Sequence, residues 1–309
     1  VWIKQRSGTQ SHYLYDAIRT ATEYLQSNST VAETTKAEGL TSFDSDGFSV
    51  GNDNANSESG YTYVAWNWKA GTTTGIAGSP SITPSSYSFN ATSGFSIIQF
   101  TGTGATATLP HGLGVAPKMI IVKSASGASG WRVYHEGIGA GKALVLETTA
   151  AADTSTDYWN DTAPTSTLFT VKANSTNDNT ATVMAYCFAD ISGYSKMGSY
   201  VGNGNADGTF VYTGFRPAYV IIKSMDTTSN WNIFDNKRST FNDVDDYIKA
   251  NANAAEDTGS SDIQMDFVSN GFKIRGNNDE VNASGENYVY AAFAEAPFVN
   301  SEGVPCNAR

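Results

Sequence analysis

The chain has 309 residues, of which 40% are hydrophobic, 12% aromatic and 16% charged, and its formal net charge is -11 at pH 7. This acidic balance disfavours nucleic acid and anionic membranes as partners, because both carry negative charge themselves. No apolar run approaches the length of a membrane-spanning helix. We therefore expect no nucleic-acid partner and no membrane insertion, and the abundance of Gly, Ser, Thr and Asn favours short strands joined by tight turns.

An apolar run that ends in a lysine occurs three times. It begins the sequence at residues 1–4 (VWIK) and returns at residues 119–123 (MIIVK) and 219–223 (YVIIK). Eight residues after each lysine comes His12, Trp131 or Trp231, and an aromatic residue follows three positions later. Because these runs are apolar on successive residues, both faces should be covered, which predicts a central strand. The recurrence predicts three copies of one unit.

Helix is expected to be scarce. Residues 13–25 (YLYDAIRTATEYL) have helical spacing of apolar positions, and residues 243–250 are a weaker candidate. Comparison of the copies places residues 13–15 in a strand, so we expect at most one short helix there, after that strand. Residues 70–93 are rich in Gly, Ser, Thr and Pro, which indicates either a linker or an edge strand leading into the second copy.

Two further stretches predict β-hairpins. Residues 43–48 (FDSDGF) correspond to residues 267–272 (FVSNGF), and Asp-Gly or Asn-Gly between apolar residues is the strongest short hairpin signal. Asp44 also begins a stretch that resembles a calcium loop. The third copy has Val268 in that position, which suits a turn and damages a metal site, so we favour the hairpin.

The second copy predicts seven strands, at residues 96–100, 105–109, 118–123, 131–135, 143–147, 169–172 and 182–188. Short strands at this spacing predict an all-β fold of tandem antiparallel β-sandwich repeats, jelly-roll or lectin-like, with little helix. We predict domains at residues 1–71, 72–193 and 194–309, the last with a polar tail. The first copy begins on its own central strand, so we expect its upstream strands to be missing from the sequence, the alternative being completion by a partner chain.

No residue pattern identifies a catalytic activity or a ligand. Residues 137–143 (GIGAGKA) look like a phosphate loop, but Ala143 stands where Ser or Thr is required. The acidic residues 242–246 (NDVDD) indicate a solvated loop rather than a site for a hard cation. Cys187 lies in an apolar run and is predicted to be buried, whereas Cys306 lies in the polar tail. We predict no enzyme, no catalytic residue, no cofactor and no metal site.

The three histidines are His12, His111 and His135, and none has the spacing of a metal motif. Trp131, Tyr134 and Trp231 recur between copies, as core residues do. The aromatic residues that do not recur are candidates for contact surfaces, because they lie between the recurring strands. These are Tyr158, Trp159 and Tyr247.

Several motifs resemble a repeat found in structural proteins of marine tailed phages, such as cyanophages and pelagiphages. They are residues 100–104 (FTGTG), 111–114 (HGLG), 117–123 (PKMIIVK), 161–167 (DTAPTST), 208–217 (GTFVYTGFRP) and 294–298 (AEAPF). The resemblance covers essentially the whole chain. It implies an extracellular virion component of a tail fibre or appendage, commonly a homotrimer. The implied partners are other virion proteins and a host-surface glycan or protein. No catalytic residue is implied, and the receptor-binding residues stay unknown.

Three alternatives remain open. The chain could be a capsid decoration protein without a receptor role, or a secreted bacterial adhesin or surface protein. A glycan depolymerase is disfavoured because such enzymes use paired carboxylates. Asp245 and Asp246 would be its candidates, and the acidic residues do not recur in pairs between copies.

Overall fold

The chain folds almost entirely into antiparallel β-strands. The computed structural model describes residues 1–295, and the only helix among them is α1 (Asp279–Asn282). Within this range no helix has the length and hydrophobicity that crossing a bilayer requires. The predicted all-β fold with little helix is confirmed. Cys306 and the polar tail at residues 297–309 lie outside the described residues.

Twenty-four strands run along the described chain. The first seven are β1 (Trp2–Gln5), β2 (Tyr13–Leu14), β3 (Glu23–Tyr24), β4 (Thr34–Thr35), β5 (Leu40–Phe43), β6 (Phe48–Val50) and β7 (Tyr63–Trp66). The next nine are β8 (Ser86–Asn90), β9 (Phe95–Thr101), β10 (Ala107–Pro110), β11 (Met119–Ser124), β12 (Arg132–His135), β13 (Lys142–Val145), β14 (Asp153–Thr154), β15 (Leu168–Val171) and β16 (Thr182–Phe188). The last eight are β17 (Ser195–Val201), β18 (Phe210–Tyr212), β19 (Tyr219–Ser224), β20 (Asn232–Asp235), β21 (Ile248–Lys249), β22 (Met265–Val268), β23 (Gly271–Ile274) and β24 (Asn287–Phe293).

Three large antiparallel sheets are each built around one of the strands that carry the recurring lysine. Sheet A has the order β2-β1-β7, sheet B has β14-β13-β12-β11-β16-β9-β8, and sheet C has β17-β24-β19-β20-β21. The prediction that these lysine-bearing strands are central is confirmed, because β1, β11 and β19 each lie between two neighbours. Segment 70–93 contains β8, which forms the edge of sheet B.

Smaller sheets cover one face of the large ones. Strands β10 and β15 pair with each other, and their buried residues share an apolar cluster with β9, β11 and β16. Strands β18, β23 and β22 form a sheet that shares another cluster with β17, β19 and β24. This layering is sandwich-like. Both predicted hairpins are confirmed, with Phe43 opposite Phe48 and Phe267 opposite Phe272.

The other face of each of the three large sheets, the one that the smaller sheets do not cover, packs into one central apolar cluster. It contains Trp2, Ile121 and Ile221, one from each central strand. Adjacent residues on these strands, such as Ile120, lie in separate clusters on the other side. Since successive side chains of a strand point to opposite faces, this explains why the runs are apolar at every position.

Three aromatic rings pack against one another at one end of the central cluster. Trp68 follows β7, while Phe188 and Phe293 end β16 and β24. The ring centroids of Trp68 lie 6.0 Å from Phe188 and 5.6 Å from Phe293, and those two are 5.8 Å apart. Edge-on contacts at such distances add to the gain from burial. Each large sheet therefore contributes one ring to this cluster.

The recurring lysines are fully buried and close the turn that follows each central strand. Lys123 Nζ donates to the carbonyl oxygens of Ser124 (2.6 Å) and Gly127 (3.4 Å). Lys4 and Lys223 donate in the same way to the residues one and four positions on. Burial lowers the pKa of each ammonium to about 8. The lysine thus supplies donors to the carbonyl group of a neighbouring buried residue and to that of a half-buried residue in the turn.

Ring nitrogens link the three sheets to one another. Trp131 Nε1 donates to Gln26 O (2.9 Å), next to sheet A, and Trp231 Nε1 donates to Val145 O (2.9 Å) in sheet B. The contact from sheet A to sheet C is made by His12, whose Nε2 lies 3.0 Å from Lys249 O. Tryptophan and histidine can replace each other at this position because both present a ring N–H donor.

A buried ion-pair cluster joins sheets A and B. Arg19 Nε donates to Asp16 Oδ2 (2.7 Å), and its Nη1 donates to Glu33 (2.9 Å). A third group of the guanidinium donates to Leu14 O. Asp16 Oδ2 also accepts a hydrogen bond from the Tyr186 hydroxyl of sheet B at 2.8 Å. The arginine and aspartate side chains are almost completely buried.

The same arrangement recurs between sheets C and A. Arg238 Nε donates to Asp235 Oδ2 (2.6 Å), and Nη1 donates to Glu256 (2.8 Å). Nη2 donates to Ile233 O. Asp235 Oδ2 accepts a hydrogen bond from Trp66 Nε1 of sheet A at 3.0 Å. Both clusters come from an Asp-x-x-Arg sequence at the end of the second strand of its copy, where Asp235 is the last residue of β20 and Asp16 lies two residues after β2.

Neither helix candidate forms a helix, and the strand expected at residues 13–15 is present as β2. Residues 13–25 contain the short strands β2 and β3, and Ile248 lies in β21. Between β2 and β3, Asp16 Oδ1 accepts hydrogen bonds from the backbone N–H groups of Ile18 and Arg19. Such a side chain competes with helical hydrogen bonding. The helical spacing instead reflects a turn that positions Arg19.

We expect Arg238→Leu to lower the free energy of unfolding by about 3–5 kcal/mol, because Asp235 would remain buried without a cation and Glu256 would keep only Arg6. The matched control is Lys118→Ala, which breaks the more exposed pair with Glu136 and should cost no more than about 1 kcal/mol. Urea denaturation of both variants measures the difference. Equal losses would show that the buried cluster does not hold the sheets.

Candidate functional site

The aromatic residues proposed as contact surfaces lie in the core instead. Tyr158, Trp159 and Tyr247 are only 8%, 1% and 6% exposed. Trp159 packs edge-on against Tyr134, with ring centroids 5.9 Å apart. Residues that vary between copies can therefore fill space beside recurring ones. The prediction that Trp131, Tyr134 and Trp231 are core residues is confirmed.

The glycine-rich segment at residues 137–143 connects β12 to β13. Its backbone turns back on itself, since Ile138 N and Gly139 N both donate to His135 O. Ala140 and Ala143 are buried in the cluster beneath it. The segment is a connecting turn whose alanines pack inward. Cys187 is also fully buried, as predicted, and burial raises the pKa of its thiol.

The acidic segment at residues 242–246 is tied to the protein by individual hydrogen bonds. Asn242 binds the backbone of Phe267 in both directions, with its Nδ2 3.2 Å from the carbonyl oxygen and its Oδ1 3.0 Å from the nitrogen. Asp246 Oδ1 accepts from Gly259 N (3.2 Å). Desolvation and the neighbouring Asp266 carboxyl group raise the pKa of Asp243. Within residues 1–295, no group of three or more His, Cys, Asp or Glu side chains is arranged to hold a metal ion.

His135 and His111 are held in the same protonation state by different partners. His135 Nδ1 accepts from Gly137 N (3.0 Å), so its Nε2 carries the proton and donates to Tyr290 O of sheet C (3.1 Å). His111 uses the same pattern with Leu113 N and Thr165 O. Burial lowers the pKa of both rings to about 4. These rings are neutral structural donors and not a catalytic pair.

Acid should destabilise the fold through these rings. The folded pKa of His135 is about 4, below about 6.5 in the unfolded chain. The unfolded state therefore binds more protons, and stability falls as the pH decreases from about 6.5 towards 4, by up to roughly 3 kcal/mol for this group. Urea denaturation at several pH values should show a shallower decline for His135→Gln than for the unaltered chain. Identical declines would contradict this explanation.

Two of the most exposed large apolar side chains lie at opposite edges of one small sheet. Phe241 is 83% exposed and Tyr212 is 63% exposed. Tyr212 pairs with Gly271 of β23, and Gly271 pairs with Val268 of β22. On the far side of β22, the Asn242 side chain binds the backbone of Phe267, which places Phe241 beside that strand.

Phe210 is a further exposed aromatic side chain, on the same strand as Tyr212. Phe210 and Tyr212 are exposed, while Val211 between them is buried in the cluster under the sheet. This alternation puts both rings on the outer face. Arg216 is exposed nearby, and its Nε donates to Phe267 O (3.3 Å). We call the outward side chains of Phe210, Tyr212, Arg216 and Phe241 the aromatic surface.

The aromatic surface has the chemistry of a contact site. Large exposed apolar groups that occur together mark interaction sites on soluble proteins. Aromatic faces offer flat apolar area for sugar rings or apolar side chains, and the Tyr212 hydroxyl and the Arg216 guanidinium add polar contacts. Phe210, Val211 and Tyr212 are successive apolar residues, so the sequence shows no alternation of apolar and polar positions and does not reveal which of them are exposed. The position of Phe241 depends on a contact distant in sequence.

Comparison with known proteins gives one match. No curated protein and no solved structure matches the chain. The model of a family described as a domain of unknown function, DUF7483, matches residues 1–297. This range covers nearly the whole sequence and includes all three lysine-bearing central strands and the aromatic surface. The chain therefore belongs to the DUF7483 family.

Proposed function

We propose that the chain is a non-enzymatic structural module of a virion, part of a tail fibre or related appendage, and that it contributes to binding of the host receptor. The aromatic surface is the observation that carries the receptor-binding part. The virion context rests on the resemblance of the sequence motifs to structural proteins of marine tailed phages. In this setting the module is extracellular, and its partners are other virion proteins.

The way the aromatic surface is held supports a binding role. Phe210 and Tyr212 stand on β18, whose buried Val211 is fixed in an apolar cluster. Phe241 is held by the two hydrogen bonds of the neighbouring Asn242. Backbone that is already fixed loses less conformational freedom when a partner binds. Such a surface suits repeated attachment to a cell.

A host-surface glycan is the receptor class that this surface fits best. Sugar rings present apolar C–H faces that stack on aromatic rings, together with hydroxyl groups that accept hydrogen bonds from Arg216 or Tyr212. The net charge of -11 opposes adsorption to strongly anionic surfaces, so a neutral glycan is favoured. We further propose a homo-oligomer, as fibres of this kind are commonly trimeric, so that several weak contacts act together.

We expect the double variant Tyr212→Ala, Phe241→Ala to lose at least tenfold in binding to host cells. Both side chains are exposed, so the free energy of unfolding should change by no more than about 0.5 kcal/mol per site. Fluorescently labelled protein bound to host cells, with and without enzymatic removal of surface glycans, measures the effect. Val115→Ala is the matched control, because Val115 is exposed but lies outside the aromatic surface.

Immunogold labelling of virions tests, independently of receptor binding, whether the chain is part of a tail fibre. Label on tail fibres supports the proposal, whereas label confined to the capsid would favour a decoration protein. Unchanged cell binding by the double variant would contradict the receptor role of the aromatic surface.

A further inference from the structure

The two aromatic rings of β18 each lean on a glycine. A Cβ atom at Gly271, which pairs with Tyr212 across the sheet, would lie 3.1 Å from Cε2 of Phe210. A Cβ atom at Gly214 would lie 3.6 Å from the hydroxyl oxygen of Tyr212 and 3.8 Å from two atoms of its ring. Phe210 is 46% exposed and Tyr212 is 63% exposed. Each ring therefore has bare backbone on one side and solvent on the other.

The sheet is low beside these rings. Tyr212, Gly271 and Val268 form a row across three strands, with the glycine in the middle. The Cβ position of Gly271 is only 2.1 Å from Val211 O, so a larger residue does not fit there without a shift of the backbone. The rings of Phe210 and Tyr212 start about 7 Å apart along the strand, because two residues separate them. Together they form an exposed platform along β18.

A carboxylate is held at the Phe210 end of this platform. Lys273 lies opposite Phe210 in the sheet, and its Nζ is 2.8 Å from Asp207 Oδ1. Arg275 Nη1 is 3.6 Å from the same oxygen. The side chain of Asp207 is nevertheless 80% exposed. The hydrogen bond from Lys273 lowers the pKa of Asp207, so the group is ionised at neutral pH and accessible to a ligand.

The backbone around this carboxylate is fixed as well. Asp207 N donates to Asn205 Oδ1 (2.9 Å), and Asp207 O accepts a hydrogen bond from Asn203 Nδ2 (3.1 Å). Lys273 Nζ also donates to Gly208 O (3.0 Å). A polar group that is fixed before a ligand arrives costs less conformational entropy on binding.

We propose that the platform binds a linear, uncharged oligosaccharide along β18, with one sugar ring on Phe210 and the next on Tyr212. Asp207 and Lys273 then determine which sugar occupies the Phe210 position. This inference rests on the receptor-binding role proposed above and makes it more specific. Sugar rings present C–H faces that stack on aromatic rings. Their hydroxyl groups donate to Asp207 and accept from Lys273.

The charges of this face select against other occupants. Asp207 balances Lys273, and Asp266, whose Oδ2 is 2.5 Å from Arg275 Nε, balances that arginine. Neither an acidic nor a basic ligand therefore gains from charge complementarity here. An apolar segment of a protein would remove water from Asp207 and Lys273 without replacing its hydrogen bonds. The hydroxyl groups of a sugar replace them.

Calorimetric titration with fragments of the purified host-surface polysaccharide, sorted into one, two and three sugar units, tests this arrangement. We expect the disaccharide to bind about tenfold more tightly than the monosaccharide, because it covers both rings, and the trisaccharide to add little. Tyr212→Ala should remove most of the gain from one to two sugar units. Asp207→Ala should weaken binding of all three fragments by about tenfold.

Two further variants serve as controls. Glu136→Ala breaks the exposed ion pair with Lys118, away from this sheet, and should leave all affinities unchanged. Asp207→Asn keeps an oxygen acceptor and should recover part of the affinity that Asp207→Ala loses, which a merely structural role of the residue would not predict. Thermal unfolding of each variant checks that it is folded.

The outcomes separate this inference from the receptor role itself. Equal affinities of the three fragments for the unaltered chain, or unchanged affinity of Asp207→Ala, would overturn the arrangement on β18 and leave a glycan as the receptor. Binding to host cells that persists after removal of surface glycans would make a protein the receptor. That result would overturn this inference together with the glycan assignment on which it rests.

Discussion

Closure of three sheets over one apolar cluster is the constraint on which the rest of the structure depends. Each large sheet has one face that only the other two can bury. The hydrophobic effect favours this burial but does not determine how the sheets are arranged relative to one another, because it is non-directional. Their arrangement is set by hydrogen bonds from buried ring N–H groups: Trp131 of sheet B donates to Gln26 O, and Trp231 of sheet C donates to Val145 O. An unpaired donor at these positions would carry a desolvation penalty, so other arrangements of the sheets are disfavoured.

The lysine-ended strands could be predicted from the sequence, because a strand that is buried on both faces is a continuous run of apolar residues. The polar contacts between the sheets could not be predicted from the sequence. His12 occupies the place of Trp131 and Trp231, which in the sequence resembles free variation. In the fold, all three supply the same ring donor. The Asp-x-x-Arg sequence at Asp16 and Arg19 has helical spacing, yet the aspartate binds the backbone N–H groups that a helix would use.

The sequence alone predicts little of the aromatic surface. Recurrence between copies correctly predicts burial of Trp131, but lack of recurrence does not predict exposure, as Trp159 demonstrates. Phe210, Val211 and Tyr212 are all apolar, so only the folded strand β18 shows that the first and third face outwards. Phe241 joins them only because Asn242 binds Phe267, 25 residues further along the chain. No local pattern encodes such a contact, so this part of the candidate site needed the structure.

The buried charges are retained for geometry rather than for net electrostatic stabilisation. Removing an arginine and its carboxylates from water costs about as much as their attraction returns. The second copy lacks this buried ion pair, because neutral His135 occupies the position that Asp16 and Asp235 occupy in the other copies. His135 still makes a hydrogen bond to a neighbouring sheet, at Tyr290 O. What the three positions share is a buried polar contact across a sheet boundary. We infer that this contact fixes how the sheets meet, while the central apolar cluster supplies the stability.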